Sequence, residues 1–168
     1  MAAEKYIQYF VEGQDEQKLI SVLKTEMGCI RPGKVQVFNV VEKNMKKARI
    51  MSLKMHTTVV FVFDTDTGKT DVLRTNIKMV SECPNIDRVI CVMQVHNLEE
   101  ELIRACDIRQ IKELTGSKTN SQYKHDILVM SNLAGKLREK AFDMQRFWSQ
   151  EAPSEYQGIP NQADKIKL

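Results

Sequence analysis

Four alternations of a strand-like apolar run with an amphipathic stretch predict an α/β domain, a mostly parallel four-stranded sheet flanked by helices. Three observations carry this expectation. The runs Thr57 to Phe63 and Ile86 to Val95 are almost continuously apolar, as strands covered on both faces are. The stretches between strands place their apolar residues at helical spacing. Polar turns follow the first and third strands, at the ends where open parallel sheets bind ligands.

The elements follow in order. Residues 5–11, Lys-Tyr-Ile-Gln-Tyr-Phe-Val, are rich in aromatic and β-branched types and read as a strand that stops at Glu12-Gly13. Residues 15–27 put Leu19, Ile20, Leu23 and Met27 on one helical face, with Gly28 as the stop. A second strand is expected over 34–41. The Lys-rich stretch 42–55 is expected to be helical, with Met45, Ala48 and Met51 or Ser52 inward. The third strand, 57–63, runs into Asp64-Thr65-Asp66-Thr67-Gly68. A helix over 70–82 carries Leu73, Ile77 and Val80 in register. After the fourth strand a helix begins near Asn97 with Leu98, Leu102 and Cys106 on one side.

Past Asp107 the pattern weakens. Residues 112–123 read as a polar loop and Ile127 to Met130 as an apolar run. Asn132 to about Trp148 reads as a helix, with Leu133, Leu137, Ala141, Met144 and Trp148 as its apolar face. The apolar residues Phe142, Phe147 and Trp148 are expected in the core rather than at a dimer contact. The domain plan is therefore a core over 1–110, a C-terminal helical extension over 111–150 packed on it, and an extended or mobile tail over 151–168. Two of the four prolines fall in that tail.

A chain of 168 residues suits one domain and is long enough for a core without disulfides. Apolar residues at 42% and charged residues at 28% exclude fibrous and wholly disordered classes. The net charge of +3 permits nucleic-acid binding without arguing for it. Cys29, Cys83, Cys91 and Cys106 show no C-x-x-C spacing and are expected as free thiols in a reducing cytoplasm. No window approaches the roughly 18 apolar residues of a membrane span, and no secretory leader is evident. The expected setting is cytoplasmic, with no membrane partner.

Two acidic constellations can carry chemistry. Glu12 stands at the end of the first strand, where Gly13 permits a tight turn into the helix. Asp64 and Asp66 leave the third strand at a spacing of two, so an extended backbone points them the same way. Either alone has an ordinary alternative, a solvated carboxylate or a capping turn. If the first and third strands are neighbours, all three carboxylates meet at one rim. Repelling carboxylates favour a divalent cation, and Mg²⁺ takes a few such oxygens while keeping waters for phosphates.

On these residues the chain resembles the TOPRIM domain shared by topoisomerases, primases and several nucleases. The resemblance rests on Phe10-Val11-Glu12-Gly13-Gln14-Asp15-Glu16 and Val60-Phe61-Val62-Phe63-Asp64-Thr65-Asp66-Thr67-Gly68, and covers about residues 5–106. Within that superfamily the chain is similar to the small stand-alone nuclease-type members, the RloB-like and AbiL-like proteins linked to restriction and abortive phage infection. The segment Val95-His96-Asn97-Leu98-Glu99-Glu100-Glu101 resembles their polar-then-acidic helix start. Ribonuclease M5-like proteins share the acidic plan more distantly, and Thr65 departs from their Asp-Pro-Asp form. The resemblance implies a compact Rossmann-like TOPRIM core and Mg²⁺-dependent cleavage of a nucleic-acid phosphodiester, with Mn²⁺ as an alternative ion. It implies Glu12 as general acid/base or a further metal ligand, and Asp64 and Asp66 as metal ligands. The setting it implies is phage defence or RNA processing. A non-catalytic nucleic-acid-binding subunit acting with a protein partner, or as a homodimer, is the alternative, and a small-phosphoester enzyme a third.

Further residues join as candidates. Glu100, or one of its neighbours, is a candidate metal ligand, with a capping pair of Glu100 to Asn97 as the structural alternative. His96 and Lys69 are candidates for phosphate contact. Gly68-Lys69-Thr70 is not a phosphate-binding loop of the Walker type, because Phe63 stands where that motif needs glycine. Lys43, Lys46, Lys47, Arg49 and Lys54 form one basic group, and Lys112, Lys118, Lys124 and His125 another. The second, with Lys118 and Lys124, is preferred for substrate contact, and Tyr123 beside it either stacks a base or packs.

Overall fold

A computed structural model describes residues 5–168. The four strands are β1 (Tyr6–Val11), β2 (Lys34–Val37), β3 (Thr57–Asp64) and β4 (Ile86–Gln94), all parallel, in the order β2-β1-β3-β4. The helices are α1 (Gln14–Lys24), α2 (Lys47–Met51), α3 (Asp71–Ser81), α4 (Leu98–Ala105), α5 (Lys112–Thr115), α6 (Tyr123–Val129) and α7 (Leu133–Glu139). This is the expected α/β class, a doubly covered parallel sheet consistent with a Rossmann-like fold.

The alternation of side chains along β1 and β3 divides the core in two. Ile7, Tyr9, Val11, Val60 and Val62 face one layer, packed with α1, α4 and the later helices α5 to α7. Phe10, Val59, Phe61 and Phe63 face the other, packed with Ile50 of α2 and with Leu73 and Val80 of α3. Each buried side chain of this size contributes about 1.5–3 kcal/mol of transfer free energy. The two central strands are buried on both faces, which explains their unbroken apolar sequence.

Several elements are shorter than their sequence pattern. The second strand ends at Val37, not 41. The Lys-rich segment forms only the five-residue α2, so its inward residue after Met45 is Ile50; Ala48, Met51 and Ser52 are exposed. The helix expected over 132–148 stops at Glu139. Lys140 O instead accepts from Asp107 N (2.7 Å), and Asp143 N donates to Ala105 O (2.8 Å). Ala141 (φ 55°) turns the chain and is exposed, while Phe147 and Trp148 reach the core from the irregular segment that follows. The loop expected over 112–123 holds α5, a short 3-10 turn and the start of α6.

Residues 151–168 pack against the core. Tyr156 and Ile159 enter the α3-side core, and Ala163 and Ile166 the α1-side core. In passing between them the segment covers the exposed edge of β4. Gln162 N donates to Cys91 O (2.8 Å), Gln162 Oε1 accepts from Cys91 N (3.2 Å), and Asn161 Oδ1 accepts from Met93 N (3.1 Å). An edge strand left open is a template for aggregation, and this cover closes it.

Gly33 precedes β2 where the backbone passes close to β1. A Cβ there would stand 2.5 Å from Ile7 O, a contact that only main-chain movement relieves. Gly33→Ala is expected to destabilise the protein by about 1–3 kcal/mol in urea unfolding, as overpacking does. An unchanged midpoint would show that β2 shifts freely.

A candidate acidic site at the carboxyl ends of the strands

The sheet register builds the site. Val11 pairs with Val62, and Asp64 with Gln94, so Glu12, Asp64 and Gln94 emerge at the carboxyl ends of three adjacent strands. Glu12 Oε1 accepts from Asp64 N (3.0 Å). Asp64 Oδ1 accepts from Gln94 Nε2 (2.7 Å), and Gln94 Oε1 accepts from the buried Trp148 Nε1 (3.3 Å). Asp64 is therefore positioned by a relay that begins in the core. Thr65 turns inward, 8% exposed, and its Oγ1 accepts from His96 N (2.8 Å), tying the loop after β3 to that after β4. Asp66 is exposed beside them.

The electrostatics are those of crowded carboxylates. Burial pushes Glu12 up to about 8, helped by the charges on Asp64 and Asp66. Burial likewise raises Asp64 to about 7, with Asp66, Glu99 and Asp15 adding repulsion against the favourable Gln94 hydrogen bond. Glu16, only 5% exposed, rises to about 9 through burial and its contact with Asp15. Among the described residues no hydrogen-bond donor reaches its Oε2, and Asp15, its carboxylate neighbour, only adds repulsion.

Asp15 and Glu16 at the rim were not among the expected site residues, and Glu99 entered only as a neighbour of Glu100. Asp15 and Glu16 come from the first turn of α1, and Glu99 from the first turn of α4. Glu16 carried a signal in the sequence, since it shares a helical face with Leu19, Ile20 and Leu23. A carboxylate on an apolar face asks for an explanation. Gln94 carried a weaker one, a polar residue ending an apolar strand.

The other expected residues divide. Glu12 and Asp64 meet through a hydrogen bond, Asp66 acts on both through its charge, and His96 lies beside them through its main chain. Glu100 does not join: it is exposed, and its N–H is capped by Asn97 Oδ1 (2.9 Å), while Glu99 is the residue whose charge acts on Asp64. Lys124 reaches the rim, its Nζ 3.9 Å from Glu99 Oε1. Lys69 is exposed on the loop after β3, and Lys118 is exposed on the segment between α5 and α6. Tyr123 is fully buried and packs in the core, so it offers no face to a base; its hydroxyl has no hydrogen-bond partner among the described residues.

The donor set is all oxygen and predominantly carboxylate, the chemistry a hard cation such as Mg²⁺ takes. Mutual repulsion and the Glu16 oxygen that no described donor reaches fit a site that a cation would relieve. Among the described residues, no three His, Cys, Asp or Glu side chains already converge as a group that could hold a metal ion.

Stability should report this repulsion. Glu12, Glu16 and Asp64 lie above their ordinary values when folded, so the folded state binds more protons than the unfolded one. Their contribution is fully present below about pH 4 and is lost as pH rises through about 7 to 9. In EDTA, calorimetry is expected to give a Tm roughly 5–10 °C lower at pH 9 than at pH 5. Glu16→Gln should flatten that slope, and an identical slope in the variant would show the reading of Glu16 to be mistaken.

The four cysteines are unpaired, and among the described residues no helix is long and apolar enough to cross a membrane. Comparison of the chain with protein-family models, with curated proteins and with solved structures found no match.

Proposed function

We propose that the protein is a metal-dependent nuclease that cleaves nucleic-acid phosphodiester bonds at the rim formed by Glu12, Asp64 and Asp66. The observation that carries this reading is the hydrogen bond from Asp64 N to Glu12 Oε1, which joins a proton-handling carboxylate to an Asp-Thr-Asp loop across two central strands.

Asp64 and Asp66 are the residues that would hold Mg²⁺ or Mn²⁺. When bound, the ion neutralises phosphate charge and polarises the scissile bond. Gln94 fixes Asp64 Oδ1, so one oxygen of that carboxylate is oriented before any ligand arrives. Glu12 Oε1 accepts from a main-chain N–H, which orients the carboxyl group that would exchange a proton with the attacking water or the leaving oxygen. A value near 8 suits a group that must both hold and release a proton near neutrality. Lys124, close to Glu99, brings a positive charge to the phosphate without base specificity. His96 and Lys69 stand on the two flanking loops as further phosphate contacts. A cytoplasmic setting in phage defence or RNA processing is consistent with the TOPRIM resemblance and with the unpaired cysteines.

The test is incubation with labelled single-stranded DNA, duplex DNA, tRNA and structured RNA, in Mg²⁺, Mn²⁺ or EDTA. Cutting of at least one class in metal and none in EDTA is expected. Folded protein that cuts no polymer would replace this reading with that of a binding subunit.

A further inference from the structure

A cavity of about 550 Å³ opens at the opposite end of the sheet, over the amino-terminal halves of β1 and β2. Its walls include Tyr6 and Gln8 of β1, Lys34 and Gln36 of β2, and Leu53 and Lys54 from the segment after α2. The register pairs Gln8 with Lys34, and residues two apart on a strand share a face, so these four strand side chains project together. The segment that follows the five-residue α2 supplies Ser52, Leu53 and Lys54 to its wall.

Its chemistry is specific. Lys5, Lys34 and Lys54 line it, and among the described residues none that lines it is acidic. Lys54 Nζ lies 4.7 Å from the Tyr6 ring centroid, a cation–π contact that holds the ammonium at the cavity wall, and Tyr6 as a whole is 42% exposed. Gln8 is only 4% exposed, and its Nε2 donates to Tyr9 O (3.1 Å) and Lys34 O (3.4 Å). With both N–H groups spent on main chain, its amide is fixed, and the carbonyl oxygen is the atom left to accept a bond. Pro32 and Leu53 add apolar surface. Cations, an exposed aromatic face, a fixed buried acceptor and an apolar wall in a volume of this size describe a small-ligand site.

We propose that this cavity binds a nucleoside phosphate. The lysine ammoniums meet the phosphate oxygens, the Tyr6 ring meets the face of the base, and the Gln8 carbonyl accepts from an N–H on the base edge. The site lies at the amino ends of the strands and uses none of the acidic rim, so it stands or falls independently of the nuclease reading.

Isothermal titration in EDTA tests it, with AMP, GMP, CMP, UMP and ATP as probes, beside adenosine, inorganic phosphate and a short oligo-dT. At least one nucleoside phosphate is expected to bind with a Kd below about 1 mM, and adenosine and phosphate each at least about tenfold more weakly. The double variant Lys34→Glu/Lys54→Glu should lose at least about tenfold in affinity, and Tyr6→Ala a few-fold, with circular dichroism unchanged. Glu12→Gln should bind as the wild type does. Should the charge-reversed protein fail to fold, Lys34→Gln and Tyr6→Leu take its place, with the same direction expected. The proposal is overturned if the folded protein binds none of the nucleotides, or if affinity is indifferent to the lysine and Tyr6 changes. It is overturned equally if Glu12→Gln abolishes binding, or if oligo-dT binds while every mononucleotide fails, which would make the cavity part of a polymer track.

Discussion

Asp64→Asn is expected to reduce metal-dependent cleavage by roughly 10³-fold or more while leaving the fold intact or more stable, because it removes charge without removing shape. The asparagine keeps a carbonyl oxygen where Asp64 Oδ1 accepts from Gln94 Nε2, so that contact survives. What disappears is a buried carboxylate that burial and the charges on Asp66, Glu99 and Asp15 hold up near 7. In EDTA above neutral pH, the Tm of the variant should equal or exceed that of the wild type. Activity and stability moving in opposite directions is the signature of a group kept for function at a cost to the fold. A variant that loses both together would mark Asp64 as structural. Single-turnover cleavage beside calorimetry separates the two outcomes.

Removal of residues 151–168 is expected to unfold the protein or drive it to aggregate. Tyr156, Ile159 and Ile166 are all buried, at 1%, 7% and 0% exposure. Three such side chains amount to about 5–9 kcal/mol of burial, against a total stability of about 5–15 kcal/mol for a typical domain. The same deletion strips the Gln162 and Asn161 contacts from Cys91 and Met93 and exposes the edge of β4. Size-exclusion chromatography with circular dichroism checks it. A monomeric, fully folded truncated chain would mean that the segment only decorates the core.

The core was legible where burial alone decides structure. The run Thr57 to Phe63 has no polar residue past Thr58, and only a strand covered on both faces tolerates that. Asp64 directly after it had to lie at the sheet's rim. That β1 and β3 are neighbours was a condition no local pattern could supply, and the observed strand order meets it. The misreadings share one cause, tertiary contacts that override local spacing. Leu133, Leu137, Ala141, Met144 and Trp148 recur at helical intervals, yet the backbone leaves the helix at Lys140 for bonds with the end of α4. The tail has the proline and polar content of a loop, but its sparse apolar residues find pockets on both faces of the sheet. At the site, Glu100 and Glu99 are indistinguishable as neighbours in sequence. The phase of α4, set by burying Leu98 and Leu102, turns Glu99 toward Asp64 and leaves Glu100 in solvent.

The central claim is that the acidic rim holds a divalent cation. Mn²⁺ titration followed by electron paramagnetic resonance addresses it without reference to any substrate. The account predicts that the wild-type protein takes up Mn²⁺, that EDTA releases it, and that Mg²⁺ competes for it. Asp64→Asn and Asp66→Asn should each weaken binding by at least about tenfold, with the fold unchanged. Wild-type protein that binds no Mn²⁺, or variants that bind it as tightly as the wild type, would contradict the account.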